Sequence, residues 1–106
     1  MKGIDVKMNK NIKKYEVKKM FGDNLSVEDA VILRNYLIED MKQGKDIISI
    51  DLDGVIKVAP NYYSTLLTPI LSLFDKNEVY AKLSFFNIKN KPSFNRAYYG
   101  TFDLLK

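Results

Sequence analysis

The spacing of apolar residues predicts a hairpin and a helix in the first half of the chain. Residues 4–8 alternate apolar and polar side chains, which is typical of a strand with one wet face, and residues 12–20 are predicted to return as a second strand. Ser26 and Asp29 have the spacing of a capping box, and Gly44 is predicted to end the helix that they begin. The helix carries an apolar stripe of Ala30, Leu33, Leu37 and Met41.

The second half predicts two strands that alternate with two helices. Residues 47–52 are nearly all apolar, which indicates a central strand buried on both faces. Asn61 can cap a helix in which Pro69 is predicted to cause a kink or an early break. Residues 79–88 are predicted to be another strand, and Ser93 is predicted to cap a last helix. That helix would include Phe94, Ala97, Tyr98, Phe102 and Leu105.

The element order is therefore β-β-α-β-α-β-α. It predicts an α/β sandwich in which helices pack on a four-stranded mixed sheet. At 106 residues the chain is expected to be a single domain, residues 1–106.

Composition narrows the chemistry that the chain can support. With 46% hydrophobic and 28% charged residues, it has the composition of an ordinary globular protein. The chain has neither His nor Cys, which removes the most common general base and the usual ligands of zinc. No apolar run has the length of a membrane span and no secretory signal is seen, so a cytoplasmic location and no membrane partner are expected. No cofactor and no metal are expected either.

One short stretch, IISIDLDGVI, resembles the first motif of the haloacid-dehalogenase phosphatases. In that motif the first Asp, here Asp51, would be the nucleophile, and the second, Asp53, the general acid. The acids that follow are not spaced to complete a Mg²⁺ site, and too few residues remain for a doubly wound core. A Mg-dependent phosphatase is therefore the less favoured alternative. The favoured interpretation is that both carboxylates accept backbone N–H groups or cap the turn before Gly54.

A longer segment, DIISIDLDGVIKVAPNYYSTLLTPIL, resembles STAS-type domains, the fold of bacterial anti-sigma-factor antagonists. It is most similar to a STAS-like family of unknown function, and Tyr62 stands where that family usually has Phe. The matching residues are Ile48, Ile50, Asp51, Leu52, Gly54, Val55, Val58, Pro60 and Asn61.

The resemblance implies a non-catalytic regulatory domain that binds a protein partner, such as a GHKL-type ATPase or kinase, at the strand-to-helix region. The candidate contact residues are Asp53, Pro60, Asn61, Tyr62, Ser64 and Thr65. Tyr62 is predicted to be an exposed anchor. The family's usual phosphoacceptor Ser is replaced, so Ser64 and Thr65 are the candidate phosphoacceptors, although an ordinary structural role for their hydroxyls is favoured.

Two other functions remain open. Seven lysines against two acids lie within residues 1–19, and a basic patch of Lys13, Lys14, Lys18 and Lys19 could bind nucleic acid. Residues 82–96 add four cations and no acid, with Phe85, Phe86 and Phe94 interspersed. A small stand-alone modulator that inhibits a host protein, encoded by a mobile element, is the other alternative.

Overall fold

A computed structural model of the chain describes residues 11–100. The elements in chain order are β1 (Ile12–Glu16), α1 (Val17–Phe21), β2 (Asn24–Leu25), α2 (Val27–Lys42), β3 (Ile47–Asp51), β4 (Lys57–Val58), α3 (Tyr62–Leu73), α4 (Lys76–Lys82), β5 (Leu83–Phe86) and α5 (Lys91–Tyr99).

The strands form two parallel sheets. One sheet has the order β1-β3-β5, and a separate sheet pairs β2 with β4. The predicted α/β class is confirmed, but a four-stranded mixed sheet is wrong for residues 11–100. The predicted strand over residues 12–20 ends at Glu16, and because β1 is parallel to β3 the chain must cross over between them through α1, β2 and α2. The predicted hairpin partner, residues 4–8, lies outside the described residues.

The three-stranded sheet has one covered face and one open face. Ile48 and Ile50 of β3 are fully buried on the covered face, whereas alternate residues of the same strand are only half-buried. On the open face, Ile12 of β1 is 53% exposed and Phe86 of β5 is 49% exposed. The prediction that β3 is buried on both faces is therefore wrong. Its open face carries Ser49 and Asp51, and these polar side chains allow a parallel sheet to face water.

Helices α2, α3 and α5 build the layer that covers the inner face. Helix α2 packs against α3, and α3 packs against α5. The predicted capping box of α2 is confirmed, since the Asp29 N–H donates to Ser26 Oγ (3.1 Å) and the Ser26 N–H donates to Asp29 Oδ2 (2.9 Å). Gly44 follows the end of α2 with a φ of 77°, as a helix stop requires.

Helix α3 continues through Pro69 to Leu73, so the predicted early break is wrong. A proline inside a helix removes one backbone hydrogen bond. Leu66, Leu67 and Ile70 are fully buried on both sides of it, and we attribute the continuity of α3 to this packing.

The predicted strand over residues 79–88 is wrong in its first half, which belongs to α4. Asp75 caps α4 by accepting the Glu78 N–H (3.2 Å), and Glu78 pairs with Lys82 one turn later (3.5 Å). The last helix begins earlier than predicted, because Asn90 rather than Ser93 is its cap and accepts the Ser93 N–H (3.4 Å). Helix α5 ends at Tyr99, and the predicted positions Phe102 and Leu105 lie outside the described residues.

Tyrosine hydroxyls are the main polar groups inside the core. The Tyr15 hydroxyl donates to the buried Asp40 carboxylate, and the Tyr63 hydroxyl donates to the Lys89 carbonyl (2.5 Å). The Tyr98 hydroxyl lies within hydrogen-bonding distance of the carbonyls of Val79 and Leu83. Tyr62 differs from these, because among the described residues its buried hydroxyl has no hydrogen-bond partner.

We expect Tyr62→Phe to leave the free energy of unfolding unchanged or to raise it by about 1 kcal/mol, because it removes an unpaired buried hydroxyl. The neighbouring Tyr63→Phe is the matched control. It deletes a hydroxyl that is bonded to Lys89, so the free energy of unfolding should fall by about 1 kcal/mol. Urea denaturation of both variants measures the two effects. Equal losses in the two variants would show that the Tyr62 hydroxyl does have a partner.

Alkaline pH should destabilise the fold through its buried tyrosines. Burial raises the pKa of Tyr63 to about 12, and burial also raises the pKa values of Tyr15, Tyr62 and Tyr98. In the unfolded chain these groups ionise near their ordinary pKa of 10.0, so above that pH the unfolded state has lost more protons than the folded state. The free energy of unfolding should therefore fall as pH rises above about 10. Urea denaturation below and above this pH measures the fall, and a flat profile would contradict the burial of these hydroxyls.

Candidate functional site

A groove between the start of α3 and the outer side of α5 collects several of the predicted contact residues. It has a volume of about 270 Å³ and is open to solvent. Pro60, Asn61 and Ser64 line it from the α3 side, and Ser93 and Arg96 line it from α5. We call this the α3–α5 groove, and it is completed by Thr68 and Ala97.

Local geometry at the start of α3 fixes how these residues are presented. Asn61 occupies the N-cap position, but its side chain accepts no capping hydrogen bond, so the predicted side-chain cap is wrong, and the residue is exposed. The Ser64 hydroxyl donates to the Asn61 carbonyl (3.2 Å). The Ser64 hydroxyl therefore has the ordinary structural role that the sequence analysis favours, because it is bonded to the backbone. Ser64 itself is exposed.

The other three predicted contact residues are not in this groove. Tyr62 is 1% exposed and packs edge-on against Tyr63, with ring centroids 5.4 Å apart, so it is not available as the exposed anchor that was predicted. Thr65 is half-buried and does not line the groove. Asp53 is exposed but lines different depressions, at the carboxyl ends of the strands. The helical spacing of Tyr62 with Leu66 and Ile70, both buried, is the sequence signal that indicates its inward position.

The carboxyl ends of β1 and β3 border a second depression, of about 230 Å³. It is lined by Glu16, Lys18, Lys19, Asp51, Asp53 and Gly54, and we call it the strand-end crevice. Asp51 Oδ1 accepts the Asp53 N–H (2.9 Å) and the side-chain amide of Asn87 (2.8 Å). Asp51 therefore stabilises the turn before Gly54, as the favoured interpretation of the sequence predicts. The hydrogen bond from Asn87 connects β3 to the end of β5.

Asn87 is a residue whose role the sequence did not reveal. Its φ of 56° is left-handed, a conformation that Asn tolerates better than most residues. An Asn directly after an apolar strand is a signal for such a position, but its partner Asp51 is 36 residues away in the chain.

The strand-end crevice does not assemble the carboxylates of a magnesium-dependent phosphatase. Among residues 11–100, no group of three or more Asp or Glu side chains is placed to hold a metal ion. Glu16 borders the crevice but forms an ion pair with Lys19 (3.0 Å). Glu16, Asp51 and Asp53 therefore do not form the converging ligand set that Mg²⁺ prefers.

The predicted basic patch is divided by the fold. Lys13 and Lys14 are adjacent residues of β1, so their side chains leave opposite faces of the sheet, and Lys13 Nζ lies 5.4 Å from the centre of the Tyr15 ring. Lys18 pairs with Asp23 (3.5 Å), and Lys19 pairs with Glu16. These exposed ion pairs are weak, but they place acids among the cations that would have to meet a phosphate backbone.

Ser93 and Arg96 complete the α3–α5 groove, although neither was predicted as a contact residue. They lie one helical turn apart on α5, together with Ala97. This spacing of polar and small residues is a sequence signal for an exposed face, but it does not reveal that the face meets α3.

Gly54→Ala should lower the free energy of unfolding by about 1–2 kcal/mol, because the φ of Gly54 is 85° and side-chain-bearing residues disfavour it. A Cβ at Gly54 would also lie 2.7 Å from Lys18 Cδ. Gly44→Ala is the matched control, since its φ is 77° and no described atom lies within 4 Å of its Cβ position. Urea denaturation should show a larger loss at Gly54, and Lys18→Ala should reduce the difference. A smaller loss at Gly54 than at Gly44 would contradict the close approach of Lys18.

The longest described helix, α2, has 16 residues, and none of the helices in residues 11–100 meets the length and apolar character of a membrane-spanning helix. No protein-family model, curated protein or solved structure matches the chain. Function is therefore inferred from the sequence and from the geometry of residues 11–100.

Proposed function

We propose that this protein is a non-catalytic, cytoplasmic regulatory domain that binds a protein partner through the α3–α5 groove. The observation that carries the proposal is the convergence of Pro60, Asn61 and Ser64, three of the predicted contact residues, on one open groove. The sequence resemblance to STAS-type antagonists supports a contact at this strand-to-helix region, and a GHKL-type ATPase is the proposed partner class.

The shape of the groove suits an elongated segment of a partner. A neighbouring depression, also of about 270 Å³, continues from the α3–α5 groove along α3 and α5. Thr68 and Ala97 line both the groove and this neighbouring depression. Ser64 and Thr68 are one turn apart on α3, as Ser93 and Ala97 are on α5. Because these side chains are small, a partner backbone can approach both helices closely, and the hydroxyls offer hydrogen bonds.

The same groove offers little support for a phosphorylation switch of the usual kind. The Ser64 hydroxyl is bonded to the Asn61 carbonyl, and Thr65 is half-buried outside the groove. We therefore propose that binding is regulated by the availability of the partner rather than by a phosphate on this chain. A stand-alone inhibitor of a host protein would use the same surface, and it differs from the regulator only in the identity of the partner.

Nucleic-acid binding through the N-terminal lysines is the weaker candidate. Lys13 and Lys14 leave opposite faces of β1, and Lys18 and Lys19 are paired with acids. A continuous phosphate-binding surface would need these cations on one side.

Thr68→Arg should weaken binding to a GHKL-type ATPase domain by about tenfold, which is about 1.4 kcal/mol, because Thr68 is exposed at the junction of the two depressions. Asn61→Asp should also weaken it by changing the charge at the helix start. Asn35→Arg is the matched control, since it adds the same charge at an exposed position of α2. Isothermal titration calorimetry measures the three affinities.

Two results would contradict the proposal. Wild-type affinity in Thr68→Arg and Asn61→Asp would show that the groove is not the contact. Failure of the unsubstituted protein to bind the ATPase domain would reject this partner class.

A further inference from the structure

We propose that the outer edge of β5 binds an extended, acidic segment of a protein partner by strand addition. The inference does not depend on the proposed function, because none of Pro60, Asn61 and Ser64 lines this surface, although the depression that continues the α3–α5 groove shares Tyr80, Tyr98 and Tyr99 with it.

The edge of β5 has backbone groups that a peptide can reach. No strand within residues 11–100 pairs with this edge, because β5 is the last strand in the order β1-β3-β5. The Leu52 N–H donates to the Phe86 carbonyl (3.0 Å), so the backbone groups of Phe86 face β3 and those of Phe85 face outward. The Leu83 carbonyl, which also faces outward, is within hydrogen-bonding distance of the Tyr98 hydroxyl (3.2 Å). The open edge is therefore short and is centred on Phe85.

A groove of about 300 Å³ runs beside this edge and is lined mainly by aromatic rings. Its floor is formed by packed rings: the ring centroids of Phe85 and Phe94 are 4.9 Å apart, and those of Phe94 and Tyr98 are 5.1 Å apart. Phe86 and Tyr99 form its accessible walls and are 49% and 41% exposed. Strand addition uses this arrangement, since the backbone provides hydrogen bonds and a neighbouring pocket receives alternate side chains. We call it the β5-edge groove.

The charges around the β5-edge groove favour an acidic occupant. Residues 82–96 include four cations and no acid, but Arg96 lines the α3–α5 groove rather than this one. Lys82, which precedes β5, pairs with Glu78, whereas Lys89 and Lys91 are exposed just after the strand. An extended segment that alternates apolar residues with Asp or Glu would place its apolar side chains in the groove and its carboxylates near these lysines.

The same charges argue against a second copy of the chain as the occupant. A second copy that paired through the same edge would bring the same acid-free segment, residues 82–96, towards Lys89 and Lys91, so no carboxylate of that segment would face these lysines. Single-stranded nucleic acid is less favoured for a different reason. Phe94 and Tyr98 are buried, and Tyr99 packs against Tyr80 and Tyr98, so the rings form a cluster rather than a row of open stacking platforms.

The proposal can be tested with a library of random linear peptides displayed on phage and selected on the full chain. We expect enrichment of sequences that alternate apolar residues with Asp or Glu. A synthetic peptide from the selection should shift the backbone amide signal of Phe85 and the signals of Phe86 and Tyr99 in nuclear magnetic resonance spectra. The same peptide with Lys in place of its acids should bind weaker by a factor on the order of ten.

Substitutions then test whether the exposed aromatic walls of the β5-edge groove and the lysines after β5 contribute to peptide binding. Phe86→Ala with Tyr99→Ala should weaken the acidic peptide by a factor on the order of ten, and Lys89→Glu with Lys91→Glu should reverse the preference towards the Lys-containing peptide. Tyr36→Ala is the matched control, because Tyr36 is also 49% exposed but lies on α2, where it stacks on Tyr15 of β1. Asn61→Asp should leave peptide affinity unchanged, which separates this surface from the α3–α5 groove.

Several outcomes would overturn the proposal. They are enrichment without acidic residues, no enrichment, or signal shifts confined to other parts of the chain. Binding of a thymidine oligonucleotide that Phe86→Ala and Tyr99→Ala abolish would assign the groove to nucleic acid instead. Self-association that the same substitutions abolish would assign it to a second copy.

Discussion

Strand β3 pairs with β1 along one edge and with β5 along the other, and both isoleucines of its inner face are fully buried. These two parallel pairings determine the positions of the other elements. Parallel neighbours cannot be joined by a tight turn, so the chain between them must form crossovers, and these supply α2, α3 and α4. The covered face then receives the apolar stripes of α2 and α3, which together with α5 enclose the core.

The arrangement of β3 also accounts for its polar end. Because parallel strands finish at the same edge of the sheet, Asp51 comes within reach of Asn87, which follows β5, and of the backbone at Asp53. Asp51, the residue that resembles a phosphatase nucleophile, therefore connects the ends of β3 and β5 and stabilises the turn before Gly54. Lys18 lies close over Gly54 and adds the end of β1 to the same junction.

Aromatic residues of α3, α4, β5 and α5 contribute both to the core and to the accessible surface. The hydroxyls of Tyr63, Tyr80 and Tyr98 lie within hydrogen-bonding distance of backbone carbonyls, so the polar tips of these large rings are satisfied inside the domain. Helix α5 lies between two accessible grooves that differ in character. The α3–α5 groove carries small hydroxyl side chains, whereas the β5-edge groove is aromatic and lies beside an unpaired strand edge. The contrast supports the inference that they bind different chemical groups.

The sequence by itself determined the features that depend on neighbouring residues. The capping box of Ser26 and Asp29, the stop at Gly44 and the turn-stabilising role of Asp51 follow from local hydrogen bonding and backbone preference. It also located three residues of the α3–α5 groove, because Pro60, Asn61 and Ser64 lie together at one helix start. Only the tertiary structure decided that β1 pairs parallel with β3 and that residues 76–82 form α4. Strand pairing and burial depend on contacts between residues that are distant in sequence, and period-two or period-four spacing does not encode which elements meet.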